Sequence, residues 1–139
     1  MKPIYLHLFS MCFILIFSSC KKEAGQGGTS SIKGKVHAKY YDKDFYSLAS
    51  TSYAPDVDVF IIYGDESVFG ERQRTTYDGT YEFKYLRKGK YKIYAYSRDS
   101  TGFYKNQVNK DLPEVPIFKN VDITKSKQFV EVPDIHILK

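Results

Sequence analysis

Histidine is the residue type best suited to acid–base chemistry and metal binding near neutral pH, and this chain has few of them. Beyond residue 20, the sequence contains His37 and His136 and no other histidine. A zinc hydrolase needs a ligand set such as His-Glu-x-x-His, in which two imidazoles lie on one face of a helix. No such spacing occurs, and each histidine falls in a segment predicted to be a strand. We therefore interpret both as surface or rim residues rather than as metal ligands.

Carboxylates alternate at two places, Asp42/Asp44 and Asp56/Asp58. Such pairs can ligate calcium, but a calcium-binding loop also carries Asp or Asn at fixed spacing and a closing Glu, which neither stretch has. No Ser/His/Asp or Cys/His set for nucleophilic catalysis can be argued, and there is no Gly-rich phosphate loop. The sequence therefore predicts no enzyme, no metal and no cofactor.

The N-terminal segment has the length of a signal peptide. After Met1-Lys2, an apolar run of about fourteen residues ends at Phe17, which is short of the roughly 20 that a membrane-spanning helix needs. Residues 17–20 (FSSC) resemble the bacterial lipoprotein signal, which implies cleavage before Cys20 and lipidation of its thiol. The alternative is an ordinary secretory leader cut elsewhere. That alternative would leave one unpaired cysteine in an exported protein, which is unusual.

Lipidation of Cys20 predicts a protein held in the cell envelope, and we expect the outer membrane, with no preference between its periplasmic and its surface side. Each buried acyl CH₂ contributes about 0.8 kcal/mol to membrane binding. Residues 20–31 (CKKEAGQGGTSS) are rich in Gly and Ser, so we predict the lipidated cysteine followed by a flexible linker with a span of roughly 18 Å. Without Lys2 the chain has 20 basic and 16 acidic residues. That small excess does not favour a nucleic-acid partner.

Residues 32–139 suit one domain with a single hydrophobic core. This range contains twelve Tyr and seven Phe, which favour strands over helices. In the segment 90–98, Tyr91, Ile93 and Ala95 alternate with Lys92, Tyr94 and Tyr96, and the segment 80–85 places Tyr81, Phe83 and Tyr85 on one face. We predict seven strands, near residues 31–39, 57–63, 71–77, 80–86, 90–98, 117–123 and 127–137. Asp78-Gly79 predicts a tight hairpin between the third and fourth strands.

Three segments carry a resemblance to a known family: Ile32-x-Gly34-x-Val36, residues 54–59 (APDVDV) and residues 78–91 (DGTYEFKYLRKGKY). Together they resemble the carboxypeptidase regulatory-like domain. The resemblance implies an all-β fold, a seven-stranded Greek-key β-sandwich of transthyretin-like (prealbumin-like) or Ig-like type, and a non-catalytic module. It assigns Tyr81, Phe83 and Leu86 to the core, and Asp78-Gly79 and Gly89 to turns. The connection 40–56 is longer than the family usually has.

Alternating strand directions predict which loops share an end of the sandwich. The long connections 40–56 and 99–114 should lie at the end distal to the lipid anchor, whereas the turn of residues 87–90 (RKGK) should lie near the membrane. The candidate headgroup contacts are therefore Arg87, Lys88 and Lys90, and the alternative is a solvated hairpin turn. The candidate binding residues on the distal loops are Tyr40, Tyr41, Tyr46, Tyr53, Phe103 and Tyr104. These aromatics could instead fold back and cap the sandwich.

The sequence thus predicts a lipid-anchored envelope lipoprotein whose non-catalytic β-sandwich is an accessory or adhesion module presenting distal loops to a protein partner. One alternative is a carbohydrate-binding module that uses the loop tyrosines. Another is a passive structural spacer.

Overall fold

The computed structural model describes residues 23–42, 47–99 and 114–139. Cys20, Tyr46, Phe103 and Tyr104 lie outside the described residues. The described residues contain no apolar helix long enough to cross a membrane. They form nine strands: β1 (Gln26–Tyr41), β2 (Leu48–Tyr53), β3 (Asp58–Tyr63), β4 (Glu71–Arg74), β5 (Thr80–Leu86), β6 (Gly89–Arg98), β7 (Glu114–Ile123), β8 (Phe129–Glu131) and β9 (Ile135–Leu138).

The strands form two sheets that enclose one core, so the predicted all-β sandwich is confirmed. One sheet has the order β4-β3-β6-β7. The other sheet is built around β1, which pairs with β5 and β8 along its first half and with β2 and β9 along its second half. All described pairings are antiparallel except those of β8 and β9 with β1, which are parallel.

Alternation along the strands determines which side chains enter the core. On β1, Ile32, Gly34, Val36 and Ala38 face inward because successive residues of a strand point to opposite faces. The predicted inward positions of β6 are confirmed as buried. The largest fully buried side chains are Tyr81, Tyr91, Phe83, Ile32, Ile61, Leu86, Ile93, Ile135, Ile137, Val36 and Val59.

The nine described strands exceed the seven expected for two reasons. First, β2 forms inside the long connection 40–56, where the sequence LASTSY shows no alternation and every residue is exposed. Second, the last predicted strand is divided into β8 and β9 around Pro133, which has no N–H to donate. The pairing with β1 shifts by one residue across this break, from Lys33 opposite Glu131 to Val36 opposite Ile135.

The turn at Asp78-Gly79 exists, but the hairpin predicted there does not. Gly79 has a φ of 76°, a left-handed conformation that favours glycine. However, β4 pairs with β3 whereas β5 pairs with β1, so the turn carries the chain from one sheet to the other. A Cβ at position 79 would also lie 2.9 Å from the carbonyl oxygen of Val36. Gly79 thus serves both the turn and a close approach to β1.

A bulge near the end of β5 interrupts its alternation and corrects the expected position of Tyr85. Tyr81 and Phe83 face the core as predicted, but Tyr85 has a φ of 59° and is 71% exposed. Phe83 lies opposite Ile32 of β1 and Leu86 lies opposite Ser30, so two residues of β5 face a single residue of β1 between these pairs. Leu86 therefore enters the core in place of Tyr85.

The Gly-rich segment predicted to be part of a flexible linker is folded from Gly25 onward. The Gly25 carbonyl accepts a hydrogen bond from the Arg87 N–H (2.9 Å), and the Gly25 N–H donates to the Tyr91 hydroxyl (3.1 Å). A Cβ at Gly28 would lie 2.0 Å from the carbonyl oxygen of Leu86. Glycine is needed here because two backbones approach closely. Flexible linkers are also rich in glycine, so composition alone does not distinguish the two cases. The domain therefore begins before residue 32.

Replacement of Gly28 by Ala tests this assignment. The added methyl group cannot avoid the Leu86 carbonyl without a backbone shift, so we expect a loss of about 1–3 kcal/mol in the free energy of unfolding. Gln26→Ala, which removes an exposed hydrogen bond to Glu71, should change it by less than about 0.5 kcal/mol. Urea titration of both variants provides the measurement. Equal stability of the two variants would show that residues 26–28 are a tether.

The Asp78 carboxylate gives the turn a pH-dependent contribution to stability. It accepts hydrogen bonds from the hydroxyls of Thr76 (2.6 Å) and Thr80 (2.8 Å) and from Lys35 Nζ (3.1 Å). These bonds hold the pKa of Asp78 well below its usual value. Since the folded pKa is depressed, the stabilisation is present above the unfolded-state pKa of about 3.9 and is lost as the pH falls toward the folded pKa.

Asp78→Asn should therefore lower Tm at pH 7, and the difference from the unaltered protein should shrink at about pH 2.5. Thermal unfolding followed by circular dichroism at both pH values measures the two differences. A difference in Tm that is the same at both pH values would contradict the electrostatic explanation.

Candidate binding surfaces

The described loop aromatics do not gather into one exposed group. Tyr40 and Tyr41 are half-buried at the end of β1, and Tyr40 packs against the core. Tyr53 lies on β2, where its ring contacts the Lys35 ammonium (4.6 Å from Nζ to the ring centroid). These three tyrosines belong to paired strands rather than to free loops.

A different set of aromatic side chains covers the outer face of the sheet β4-β3-β6-β7. Phe60 of β3, Tyr94 of β6 and Phe118 of β7 lie directly opposite one another across three neighbouring strands. Tyr96 lies one outward position further along β6, and Phe69 reaches the group from the connection between β3 and β4. We call these five side chains the aromatic face.

The rings of the aromatic face are in mutual contact. Phe60 is stacked on Tyr94 at 5.0 Å with an interplanar angle of 16°. Phe69 lies 5.0 Å from Phe60, Phe118 lies 5.1 Å from Tyr94, and Tyr96 lies 5.5 Å from Tyr94 (centroid distances). Such stacked and edge-on pairs contribute about 0.5–1.5 kcal/mol each beyond the area they bury. The side chains are therefore ordered by one another as well as by the strands.

Burial divides the aromatic face into a support and an exposed layer. Tyr94 is only 7% exposed although it points away from the core, because its neighbours cover it. Burial is the main reason why the pKa of Tyr94 is raised, followed by the charge and hydrogen bond of Tyr96. In contrast, Tyr96 is 41% exposed, and Phe69 and Phe118 are each 50% exposed. These three rings are available to a ligand.

Charged and amide side chains border the aromatic face on two sides. On one side, Asp58 pairs with Arg72 (3.5 Å) and Arg74 (3.3 Å). On the other side, Lys92 and Asn120 lie opposite each other on β6 and β7, and both are exposed. The arrangement offers hydrogen-bond donors and acceptors around an apolar centre.

The sequence of β3 and β6 contains a signal for this face, which lies on strands and not on the loops predicted to bind. Tyr94 and Tyr96 were correctly placed on the side of β6 opposite the core residues. The apolar run of β3 is dense, and β3 lies between β4 and β6 in the sheet. The run is dense because Val59 and Ile61 face the core while Phe60 faces outward. When both the inward-facing and the outward-facing residues of neighbouring strands are apolar, the sheet they form has two apolar faces.

The predicted headgroup contacts lie at the end where β1 begins. The Arg87 N–H is bound to Gly25, and the Lys90 carbonyl accepts a hydrogen bond from Gly64 (2.8 Å). The turn between β7 and β8 lies at the same end, because the Ser30 hydroxyl of β1 donates a hydrogen bond to the Lys125 carbonyl of this turn (3.1 Å). The β3–β4, β5–β6 and β7–β8 connections therefore lie at the same end of the sandwich.

Basic side chains surround a small cavity at this end. The cavity has a volume of about 320 Å³, and its lining includes Arg87, Lys88 and Ser126 but no carboxylate. Lys125 and Lys127 are exposed on the neighbouring turn. The Arg87 guanidinium packs against Gly27, and its Nε is buried without a hydrogen-bond partner among the described residues. This surface suits contact with anionic groups.

A larger cavity of about 540 Å³ opens between the edges of β4 and β5, and both signs of charge line it. Its carboxylates are engaged: Glu71 accepts hydrogen bonds from Gln26 (2.8 Å) and Gln73 (2.6 Å), and Glu82 pairs with Lys84 (3.2 Å). Within residues 23–42, 47–99 and 114–139, no group of three or more His, Cys, Asp or Glu side chains could hold a metal ion. Asp58, one of the carboxylates considered for calcium, is paired with arginines instead.

Comparison with known proteins gives distant likenesses. No family model and no curated protein matches the chain. The structure resembles that of a proposed carbohydrate-binding protein from Pseudomonas aeruginosa, with 13% identity, a TM-score of 0.47, and coverage of 84% of this chain and 92% of that chain. It also resembles an (S)-allantoin synthase, with 12% identity and a TM-score of 0.37 over 81% of this chain. The match spans 42% of the synthase. Likenesses at this level assign neither a family nor a function.

Charge reversal at the β5–β6 turn tests its predicted contact with anionic lipid. We expect Lys88→Glu/Lys90→Glu to weaken binding of residues 21–139 to anionic vesicles by at least about tenfold, since each basic residue near the surface contributes about 1 kcal/mol. Arg87 is left unchanged because its Nε is buried. The matched control is Lys39→Glu/Lys139→Glu, at the opposite end of β1, measured by the same vesicle co-sedimentation. If both double variants weaken vesicle binding equally, the binding depends on net charge alone and not on the β5–β6 turn.

Proposed function

We propose that this protein is a non-catalytic binding module of the cell envelope, anchored through a lipid on Cys20, and that it binds glycans through its aromatic face. The observation that carries this proposal is a contiguous group of five rings on a hydrogen-bonded sheet, three of them 41–50% exposed. Exposed apolar patches with a polar border mark interaction sites on soluble domains.

The chemistry around the rings favours a sugar ligand. One face of a pyranose presents C–H groups, which pack against the negatively polarised face of an aromatic ring. Its hydroxyls need both donors and acceptors, because buried hydroxyls without partners are costly. Asp58 supplies acceptors, and Arg72 and Lys92 supply donors at opposite borders of the aromatic face. A glycan can therefore stack on Tyr96 or Phe118 and hydrogen-bond at the border.

A protein partner bound by the distal loops is the competing proposal. Those loops include residues 43–46 and 100–113, which lie outside the described residues, and the described tyrosines Tyr40 and Tyr41 are half-buried. The aromatic face has three exposed rings on paired strands and in mutual contact, and for this reason we prefer it as the binding surface. A spacer without a ligand is the third proposal.

Membership of the carboxypeptidase regulatory-like family is part of the proposal. Its support is the position of the residues that carry the resemblance. Tyr81, Phe83 and Leu86 are buried in the core, Gly79 has a φ of 76° in its turn, and Gly89 has a φ of 149° at the start of β6. The lipid anchor rests on the FSSC motif of residues 17–20. We propose a non-catalytic role for two reasons: the carboxylates that line the larger cavity, Glu71 and Glu82, are already hydrogen-bonded or ion-paired, and the sequence shows no nucleophile–base pair.

Removal of single exposed rings tests glycan binding. Tyr96→Ala and Phe118→Ala should each weaken binding to glycans identified on an array by about tenfold, which corresponds to about 1.4 kcal/mol. Tyr77→Ala is the matched control, since Tyr77 is 93% exposed on the β4–β5 turn, away from the aromatic face. Isothermal titration with the selected glycan measures each affinity.

Two results would contradict the proposal. One is an array without any bound glycan together with a specific protein recovered by pull-down, which favours the loops. The other is a glycan affinity that Tyr77→Ala lowers as much as Tyr96→Ala does, which shows that the aromatic face is not the site.

A further inference from the structure

The fold brings together the two histidines that the sequence keeps far apart. His37 on β1 and His136 on β9 lie directly opposite each other in the parallel pairing of these strands. Their ring centroids are 5.5 Å apart, with an interplanar angle of 67°. Both side chains point away from the core, because Val36 and Ala38 on β1 and Ile135 and Ile137 on β9 face inward.

The distance between the rings suits joint binding of one metal ion. A zinc or nickel ion about 2.1 Å from a ring nitrogen lies roughly 3.2 Å from that ring's centroid. Two rings centred 5.5 Å apart can then contact the same ion with an angle of roughly 120° at the metal, close to the tetrahedral value of zinc. An approach of the two rings by about 1 Å gives the angle of roughly 90° that suits tetragonal nickel. His136 is exposed on β9, so its side chain is free to rotate toward His37.

The surroundings leave His37 available as a ligand. Its Nδ1 is buried without a hydrogen-bond partner among the described residues, so no carboxylate or carbonyl there fixes the tautomer. We assign coordination to the other nitrogen, Nε2. Tyr53 of β2 contacts the His37 ring edge-on at 5.4 Å and holds its plane. The strands on both sides of β1 prevent the backbone from moving.

The positive charges of two nearby lysines reduce the affinity of the histidine pair for a metal ion but do not prevent binding. Lys35 and Lys39 flank His37 on the same face of β1, but Lys35 is paired with Asp78 (3.1 Å) and Lys39 is exposed to screening by salt. No third His, Cys, Asp or Glu joins the pair among the described residues, so water completes the coordination. Neutral imidazole is a ligand that Ni²⁺, Cu²⁺ and Zn²⁺ all accept.

From this geometry we infer that His37 and His136 form a two-histidine site for a divalent transition-metal ion on the outer face of the sheet built around β1. The site is separate from the aromatic face, which lies on the other sheet, and it does not depend on the proposed glycan function. It also differs from the zinc hydrolase considered above, because it has no general base and no carboxylate ligand.

Titration with Ni²⁺ tests the site in the full chain, purified without an affinity tag in mild detergent. His37→Gln and His136→Gln should each lower Ni²⁺ affinity by at least about tenfold, and the double variant should bind no more weakly than either single variant. This non-additivity is expected because loss of one ring already ends chelation. Tyr85→Phe, on the exposed bulge of β5, is the control and should bind as the unaltered chain does. His7 and the cysteines are the same in every variant.

A second measurement does not depend on any variant folding. Ni²⁺ is paramagnetic, so it should broaden the amide NMR signals of His37 and His136 in the unaltered chain and leave that of Tyr96 unchanged. The inference is overturned if both single variants bind Ni²⁺ as the unaltered chain does, if their losses add independently, or if the broadening lies elsewhere.

Discussion

Strand β1 is hydrogen-bonded along both edges for most of its length, and the rest of the sandwich depends on this arrangement. Its first half is held between β5 and β8, and its second half between β2 and β9. Such a strand tolerates little change in register, since a slip by one residue moves Ile32, Val36 and Ala38 from the core to the surface. The close contact of Gly28 with Leu86 fixes the same register at the start of the strand.

The position of β1 also decides what each sheet can offer to ligands. Its own sheet is interrupted by the break between β8 and β9, and its outer face carries lysines and the two histidines. The sheet β4-β3-β6-β7 is continuous, and its longest pairing joins β6 and β7 over ten residue pairs. A continuous sheet gives aligned rows of side chains, which is why Phe60, Tyr94 and Phe118 lie in one row. The two outer faces therefore differ in chemistry as a result of their pairing.

The folding of residues 25–31 shortens the distance between the domain and the proposed anchor. If Cys20 carries the lipid, few residues separate it from Gly25, which is bound to Arg87 and Tyr91. The basic turns would then be held near the headgroups, and the aromatic face would lie along the side of the sandwich rather than at its tip.

The sequence by itself determined the local features of this protein. Alternation predicted the inward face of β6, the inward positions of Tyr81 and Phe83 on β5 and the ends of β5, because a strand's periodicity is a property of neighbouring residues; it failed at Tyr85, where the bulge interrupts the period. Composition indicated an all-β domain. Turn signals placed Gly79 correctly, since positive φ is a local requirement, whereas Gly89 has a positive φ but is the first residue of β6.

Tertiary structure decided everything that depends on which strand lies beside which. Asp78-Gly79 marks a turn in the sequence, but only the partners of β4 and β5 show that it joins two sheets. The segment QGG has the composition of a linker until Leu86 is placed against it. Likewise, the aromatic face and the histidine pair arise from residues that are remote in the chain. Their proximity is set by pairing between strands, which is a non-local interaction that no short stretch of sequence encodes.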